Sequence, residues 1–390
     1  MPTNLPPEAR AKWIKVMEAK TTEEKIKALE DFISSVPKHK GTENLLYWAT
    51  RRLSQLKEDA ELAKKKKTGG GIKFYIEKEG DAQIVMLGPP LSGKTSLLSK
   101  LTNAKVEILG YHYSTKIPQP GMLKYMDVYF QLIDTPSIPY KMDESVPWLN
   151  RTIGLARNAD AIILVLDGSK NVKEQILGYL ELLEKAGIMT KKPKGSIEIK
   201  KASKGGLNII LNGKIVDGRV EDIKSILKDY KIIHAVVKIN GEISLEDIET
   251  SIIGSKVYRP TIITVNKSDL IDNIEEVEKE ISYISKEVEG VIFTSTITNK
   301  NLEKIGELIF KSLRLIRIYT KQPNGDVAKK PLVLKNGATV RDVASSIHSS
   351  LEEFFKYAKI WGKSAKYPGE RVGLDHELQD GDIVEIYSKV

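Results

Sequence analysis

Three short groups of residues in this 390-residue chain have the types and spacing to handle a phosphate, a metal ion and a base. The first is Gly88, Pro89, Leu91, Ser92, Gly93, Lys94, Thr95 and Ser96, directly after the apolar run Gln83–Leu87 and before a helical pattern near 94–102. In strand–loop–helix context this is the P-loop pattern. Its glycines let backbone N–H groups wrap a phosphate at a helix N-terminus, Lys94 reaches the β- and γ-phosphates, and the Thr95 hydroxyl ligates Mg2+. The second is Asp134, with Ser137 shortly after it, at the end of an expected strand Tyr125–Ile133. A carboxylate at a strand tip can hold the metal through water. The third is Asn266, Lys267, Ser268 and Asp269, after the expected strand Thr261–Val265. A carboxylate accepts from both the ring N–H and the exocyclic amine of guanine, whereas adenine presents the opposite edge, so Asp269 points to GTP rather than ATP. Taken singly each group is a common turn; in this order, each at a strand end, they reinforce one another.

The elements that must position these groups alternate. Apolar β-rich runs (Gln83–Leu87, Tyr125–Ile133, Ala161–Leu166, Thr261–Val265) are separated by helical patterns near 94–102, 146–158, 170–186 and 272–288. Such alternation predicts an α/β domain with a mixed, mostly parallel sheet and helices on both faces. The stretch between Asp134 and Asn266 is about twice what two βα units need, and the surplus falls near Thr190–Gly254. There Ser196–Lys200, Leu207–Leu211 and His234–Ile239 read as strands, and Val220–Tyr230 and Leu245–Ile253 as helices. The dipeptide Asn212–Gly213, ahead of Lys214–Val216, is a hairpin signal. The chain opens with helical periodicity from Pro7 to Lys67, with Thr21 and Glu24 placed as a capping box and Thr42 as a further cap. It closes with strands at Leu315–Thr320, Pro331–Lys335, Ala358–Trp361 and Asp382–Tyr387 around a helix Val340–Ser349 capped by Thr339. The expected organisation is a helical arm (1–67), the α/β domain in two parts (68–189 and 255–313), an inserted α+β subdomain (190–254) and a small C-terminal sheet domain (314–390).

Composition narrows the class. With 41% hydrophobic and 29% charged residues the chain is globular, and the longest apolar runs are far short of the roughly 20 residues needed to span a bilayer. No cysteine is present, which excludes disulfides, thiol catalysis and Cys-based metal sites. The first residues show no basic and then apolar leader, so the expected location is the cytoplasm, with no membrane partner. The net charge of +9 favours an anionic partner. Lysines concentrate at 64–67; at Lys191, Lys192, Lys194, Lys200, Lys201 and Lys204; and at Lys356, Lys359, Lys363 and Lys366 with Arg371. The last group is interleaved with Phe354, Phe355, Tyr357, Trp361 and Tyr367, a composition suited to RNA phosphates and stacked bases.

The ordered set resembles a translation-factor-class GTPase and, more narrowly, the Obg-like family of developmentally regulated GTP-binding proteins, the DRG group of archaea and eukaryotes. The resemblance runs through Lys38–Thr42, Gly80–Ala82, the P-loop, Tyr111–Thr115 with Pro120 and Gly121, the insert, Tyr258–Pro260 and Arg317–Lys321. It continues in Tyr357–Lys366 and Arg371–Gly373, which look like a TGS domain, a β-grasp module. It implies that Thr115 closes on Mg2+ and the γ-phosphate as a first switch, and that a backbone amide at Ser295, followed by Thr296, supports the guanine O6. Against the family pattern, Ser137 replaces the second-switch glycine, Leu91 replaces a potassium-coordinating asparagine found in some relatives, and Thr296 replaces the usual alanine. Ile138 stands where many GTPases place a water-positioning glutamine, and an apolar residue there is usual in this family. Asp143 and Glu144 lie on the switch that follows.

The expected activity is slow hydrolysis of GTP to GDP and phosphate with Mg2+, used as a conformational timer on ribosomes or ribosomal RNA, with Lys94 and Thr115 as the catalytic pair. The family's adaptor protein is a further partner that the resemblance brings in. Ser137 and Ile138 motivate an alternative: a guanine-nucleotide-responsive binding scaffold with little turnover.

Overall fold

The computed structural model describes residues 5–19, 21–38, 42–66, 74, 76–104, 117–140, 146–254, 256–322 and 325–388, without the side chains of 43, 44, 55, 58, 59 and 61–66. Helix α1 (Pro7–Glu18) has a proline in its first turn, where an N–H has no partner to lose. Helix α2 (Thr22–Ser35) is opened by Thr21, whose hydroxyl accepts from the Glu24 N–H while the Glu24 carboxylate accepts from the Thr21 N–H. Helix α3 (Glu43–Lys66) completes the arm.

The central sheet begins with β1 (Ala82–Leu87), and α4 (Lys94–Leu101) follows the loop after it. Strands β2 (Gln119–Tyr125) and β3 (Val128–Asp134) form a hairpin rather than the single strand Tyr125–Ile133 expected from the apolar run. The turn is carried by Met126 at φ +50°, a conformation rare outside glycine, so the sequence shows no turn residue there beyond Asp127. Helix α5 (Leu149–Asn158), β4 (Ala161–Asp167), α6 (Val172–Lys185) and the short β5 (Ile188–Met189) lead to the insert.

The insert holds β6 (Gly195–Lys201), β7 (Leu207–Ile215), α7 (Val220–Asp229), β8 (Ala235–Ile243) and α8 (Leu245–Ile253), with sheet order β6-β8-β7. The hairpin expected at Asn212–Gly213 does not form: β7 runs straight through both residues, parallel to β8. Gly213 faces Gly241, and a Cβ on Gly213 would lie 2.0 Å from the Gly241 carbonyl oxygen, so the glycine serves close strand approach instead of a turn. The chain leaves and rejoins the central domain through β5 and β9 (Val257–Tyr258), a two-stranded parallel ladder. Trp13, Leu29 and Phe32 of the arm share one hydrophobic core with Ile223, Leu227, Val237 and Ile239 of the insert. Arg10 bridges the same two parts, pairing with Asp229 (2.6 Å) and Glu249 (3.1 Å).

Strand β10 (Thr261–Asn266), α9 (Ile274–Ile281), β11 (Gly290–Phe293) and α10 (Lys304–Ser312) finish the central domain. The helix expected over 272–288 is shorter, ending at Ile281 before a separate 3-10 turn at Ile284–Glu287. The sheet order is β11-β10-β4-β1-β3-β2, parallel except for the β2–β3 hairpin. All of β1 is buried because both faces are covered. Val85 and Leu87 pack in one cluster with Ile153 of α5 and Ile176 of α6, and Ile84 and Met86 in another with Leu97 of α4 and Ile305 of α10.

The C-terminal part contains β12 (Leu315–Lys321), β13 (Leu332–Lys335), α11 (Val340–Ile347), α12 (Ser349–Glu353), β14 (Phe355–Trp361), β15 (Glu370–Val372) and β16 (Ile383–Ser388). The expected single helix to Ser349 breaks at extended His348. Helix α11 covers one face of a sheet ordered β13-β12-β16-β14-β15, burying Val343 against Ile318, Ala358, Ile360 and Val384. On the opposite face, the Tyr319 hydroxyl donates to Asp127 in the β2–β3 turn (2.7 Å), tying this sheet to the central one. Among the described residues no helix is long and apolar enough to cross a membrane.

Candidate nucleotide site

The parallel strands bring the three sequence groups to one carboxyl edge, the position where open α/β sheets bind ligands. Both P-loop glycines are required by packing. A Cβ on Gly88 would lie 2.2 Å from the Val165 carbonyl oxygen of β4. Gly93 caps α4 at φ +88°, and a Cβ there would lie 2.2 Å from the side-chain nitrogen of Asn266. That nitrogen, Asn266 Nδ2, donates to the Ser92 carbonyl (2.9 Å), so the first residue of the third group braces the first group. Asn266 Oδ1 and Ser92 Oγ are buried and find no hydrogen-bond partner among the described residues. Leu91 stands at the loop tip, 40% exposed at φ +63°.

Lys94 is buried, and its ammonium donates to the carbonyls of Gly88 (3.1 Å) and Pro89 (3.2 Å) and to Ser137 Oγ (2.7 Å). Burial lowers its pKa to about 8, against the pull of the nearby Asp134 carboxylate. Thr95 Oγ1 donates to Asp134 Oδ2 (2.6 Å), so a hydroxyl from the first turn of α4 and a carboxylate from the end of β3 converge on one point. Two hard oxygen donors so placed fit Mg2+, which keeps several waters and takes few protein ligands. Thr135 Oγ1 donates to the Met86 carbonyl, fixing the turn after β3. Ile138 points away from the site into the core, its N–H on the Gly88 carbonyl (3.3 Å) and its carbonyl receiving the Tyr179 hydroxyl. Trp148 Nε1 donates to the Ser137 carbonyl (2.9 Å). Thr115, Asp143 and Glu144 lie outside the described residues.

At the far end of the edge Lys267 takes φ +60° and its ammonium pairs with Asp167 Oδ2 (2.8 Å) at the tip of β4. Burial would raise the Asp167 carboxyl, but hydrogen bonds from Lys267 and Ser169 outweigh it and hold the group below the ordinary carboxylate range. Asp167 was missed by motif reading, although an acid at the end of the run Ala161–Leu166 was the available signal. Asp269 is exposed in a 3-10 turn whose start is anchored by Ser268 N–H on the Thr294 carbonyl (2.9 Å). Ser295 is buried just after β11; its Oγ accepts from the N–H groups of Ile297 (3.3 Å) and Thr298 (3.1 Å), bending the chain around Thr296.

The basic segments lie elsewhere. Lys191 pairs with Glu287 (2.7 Å) and Lys200 with Glu198 (3.0 Å), Lys201 approaches Met17 Sδ (3.8 Å), and Lys192, Lys194 and Lys204 are exposed on the segments flanking β6. On the C-terminal sheet Tyr357, Lys359 and Trp361 occupy the face opposite the α11 core, and Lys356, Lys363 and Lys366 are exposed. Tyr357 stacks on Tyr387 (4.5 Å between centroids), Arg371 covers Tyr357 (4.7 Å), Lys359 covers Tyr387 (5.1 Å) and Lys321 covers Trp361 (5.0 Å). The rings therefore hold cations in place more than they offer open faces.

A family described as "50S ribosome-binding GTPase" matches residues 83–199, the C-terminal region of the same domain type matches 204–315, and a TGS domain matches 316–388. An uncharacterised GTP-binding protein of Methanocaldococcus jannaschii is 35% identical over 379 residues, 94% of this chain and 93% of that one. Developmentally-regulated G-protein 3 of Arabidopsis thaliana is 32% identical over 95% of this chain and its own full length, and the Bos taurus developmentally-regulated GTP-binding protein 2 is 31% identical over 94% and 99%. A solved GTP-binding protein from Pyrococcus horikoshii aligns with 79% of this chain and all of its own, at 18% identity and TM-score 0.42. The chain belongs to the developmentally regulated GTP-binding protein (DRG) family: a GTP-binding protein with a P-loop domain and a C-terminal TGS domain.

Proposed function

We propose that the chain hydrolyses GTP to GDP and phosphate and uses the change as a timer for docking to ribosomes or ribosomal RNA in the cytoplasm. The observation that supports this most is the convergence of Lys94, Thr95 and Asp134 at one sheet edge, braced by Asn266. In this reading the P-loop amides and Lys94 hold the β- and γ-phosphates, Asp269 selects guanine, and Thr95 and Asp134 hold Mg2+. Bound there, that ion would neutralise charge developing on the phosphates. Lys94 stabilises charge in the transition state and Thr115 senses the γ-phosphate. The buried Ile138 cannot position water, which supports a slow intrinsic rate and an external activator. The ribosomal role is supported by the match to a ribosome-binding GTPase family and by the cation-bearing face of the TGS sheet.

Ribosome co-sedimentation with a GTP analogue, with GDP and without nucleotide, under a salt titration, tests the timer. Association that strengthens with the analogue and falls steeply with salt is expected; association indifferent to both would overturn it. A nucleotide-responsive scaffold is the second reading, favoured by the Lys94–Ser137 bond. Absence of phosphate release with and without ribosomes would establish that one instead.

A further inference from the structure

Ser137 stands beside the P-loop lysine, and the structure gives its side chain a specific task. A glycine there would offer only a backbone N–H. The serine hydroxyl instead accepts from Lys94 Nζ at 2.7 Å, the shortest of the three hydrogen bonds that this ammonium makes. An ammonium has three protons, and here all three have acceptors inside the protein: two P-loop carbonyls and Ser137 Oγ. Ser137 is also held from behind. Its carbonyl receives Trp148 Nε1 (2.9 Å), and the next residue is fixed in the core by its bonds to Gly88 and Tyr179. Both partners of the Lys94–Ser137 bond are buried, so water cannot readily replace it.

We propose that Ser137 sets the preference between guanosine di- and triphosphate, its hydroxyl occupying the Lys94 donor that a third phosphate would need. This rests on the guanine-nucleotide reading of the site. A diphosphate can take the Lys94 donors now spent on P-loop carbonyls and leave the serine bond in place. A triphosphate brings a further oxygen to the second switch, where Ser137 stands, and must break that bond or move the anchored turn. The resting site therefore takes GDP in preference to GTP. Exchange to GTP then becomes the step that an external partner has to drive, by pulling Ser137 off Lys94.

The test compares fluorescent GDP with a fluorescent non-hydrolysable GTP analogue on the full chain and on Ser137→Ala and Ser137→Gly, which both delete the hydroxyl and the second of which adds no bulk. A hydrogen bond to a charged group is worth enough that its loss is expected to tighten the analogue by roughly tenfold or more, with GDP changed less than about threefold. An unchanged ratio overturns the inference. A weaker analogue overturns it too, because the hydroxyl would then be a ligand of the γ-phosphate and not its rival. Nucleotide-free protein supplies a second arm: a double-mutant cycle of Ser137→Ala with Lys94→Met in urea should show coupling, and strict additivity would remove the contact on which the idea stands. A wild-type chain that bound neither nucleotide would overturn the reading of the site and this inference together. Binding of both with a ratio insensitive to Ser137 would overturn this inference alone.

Discussion

Asn266 Nδ2 donates to the Ser92 carbonyl at 2.9 Å, linking residues that stand far apart in sequence. The amide sits so close to Gly93 that any side chain there would collide with it, so the guanine motif and the P-loop are one mechanical unit.

Replacing Asn266 by alanine leaves the Ser92 carbonyl without its donor in a dry site. The expected cost is about 1–3 kcal/mol, in fold stability and in affinity for every guanine nucleotide, since the brace does not touch the γ-phosphate. Urea unfolding and fluorescent-nucleotide titration would read both. Asp269→Ala, on an exposed turn, should lose affinity by a similar factor with an unchanged unfolding midpoint; an unchanged GTP affinity would remove the guanine assignment.

Lys94 makes the site pH-sensitive. Burial depresses its pKa from 10.5 to about 8 in the folded, nucleotide-free chain. Between these values the unfolded chain binds the extra proton, so this residue's contribution makes the fold more stable as pH rises from 8 towards 10.5 and is flat below 8. Unfolding midpoints of wild type against Lys94→Met should converge or cross over that window. A bound phosphate favours the charged lysine, so nucleotide binding should take up protons near pH 8.5 but not at pH 6.5. Calorimetry in buffers of different ionisation enthalpy measures this directly.

Gly213→Ala tests the read-through strand. Its Cβ would press on the Gly241 backbone at 2.0 Å, and forcing β7 from β8 should cost about 1–3 kcal/mol. At a hairpin turn the same change would act only through local backbone strain. Hydrogen exchange along Ala235–Ile243 distinguishes the two, with loss of protection expected throughout the strand.

Trp13→Ala should unfold more than the arm. Trp13 packs on Phe32 (5.1 Å) and lies in the core shared with α7 and β8, so its removal should cost about 3–5 kcal/mol and expose the insert to protease at the same denaturant concentration as the arm. Separate transitions for the two parts would show that they do not share one core.

Local pattern was legible wherever spacing alone decides the outcome. The P-loop could be read because a buried strand, two glycines, a lysine and a threonine occur within one turn of chain. The capping box at Thr21, the crossover helices and the surplus between Asp134 and Asn266 were legible for the same reason, since each depends on spacing alone. The β2–β3 turn was not legible, because Met126 adopts positive φ and only the lone Asp127 beside it is a turn residue. Asn212–Gly213 misled, because a glycine permits both a tight turn and close strand approach and only the partner Gly241 decides between them. The pairing of Lys267 with Asp167, the arm and insert on one core, and Ser137 on Lys94 join residues from different parts of the fold. Side-chain hydrogen bonds and apolar contacts act over a few ångströms, and which groups come that close is set by the order of strands in the sheet, so only the tertiary structure could supply them.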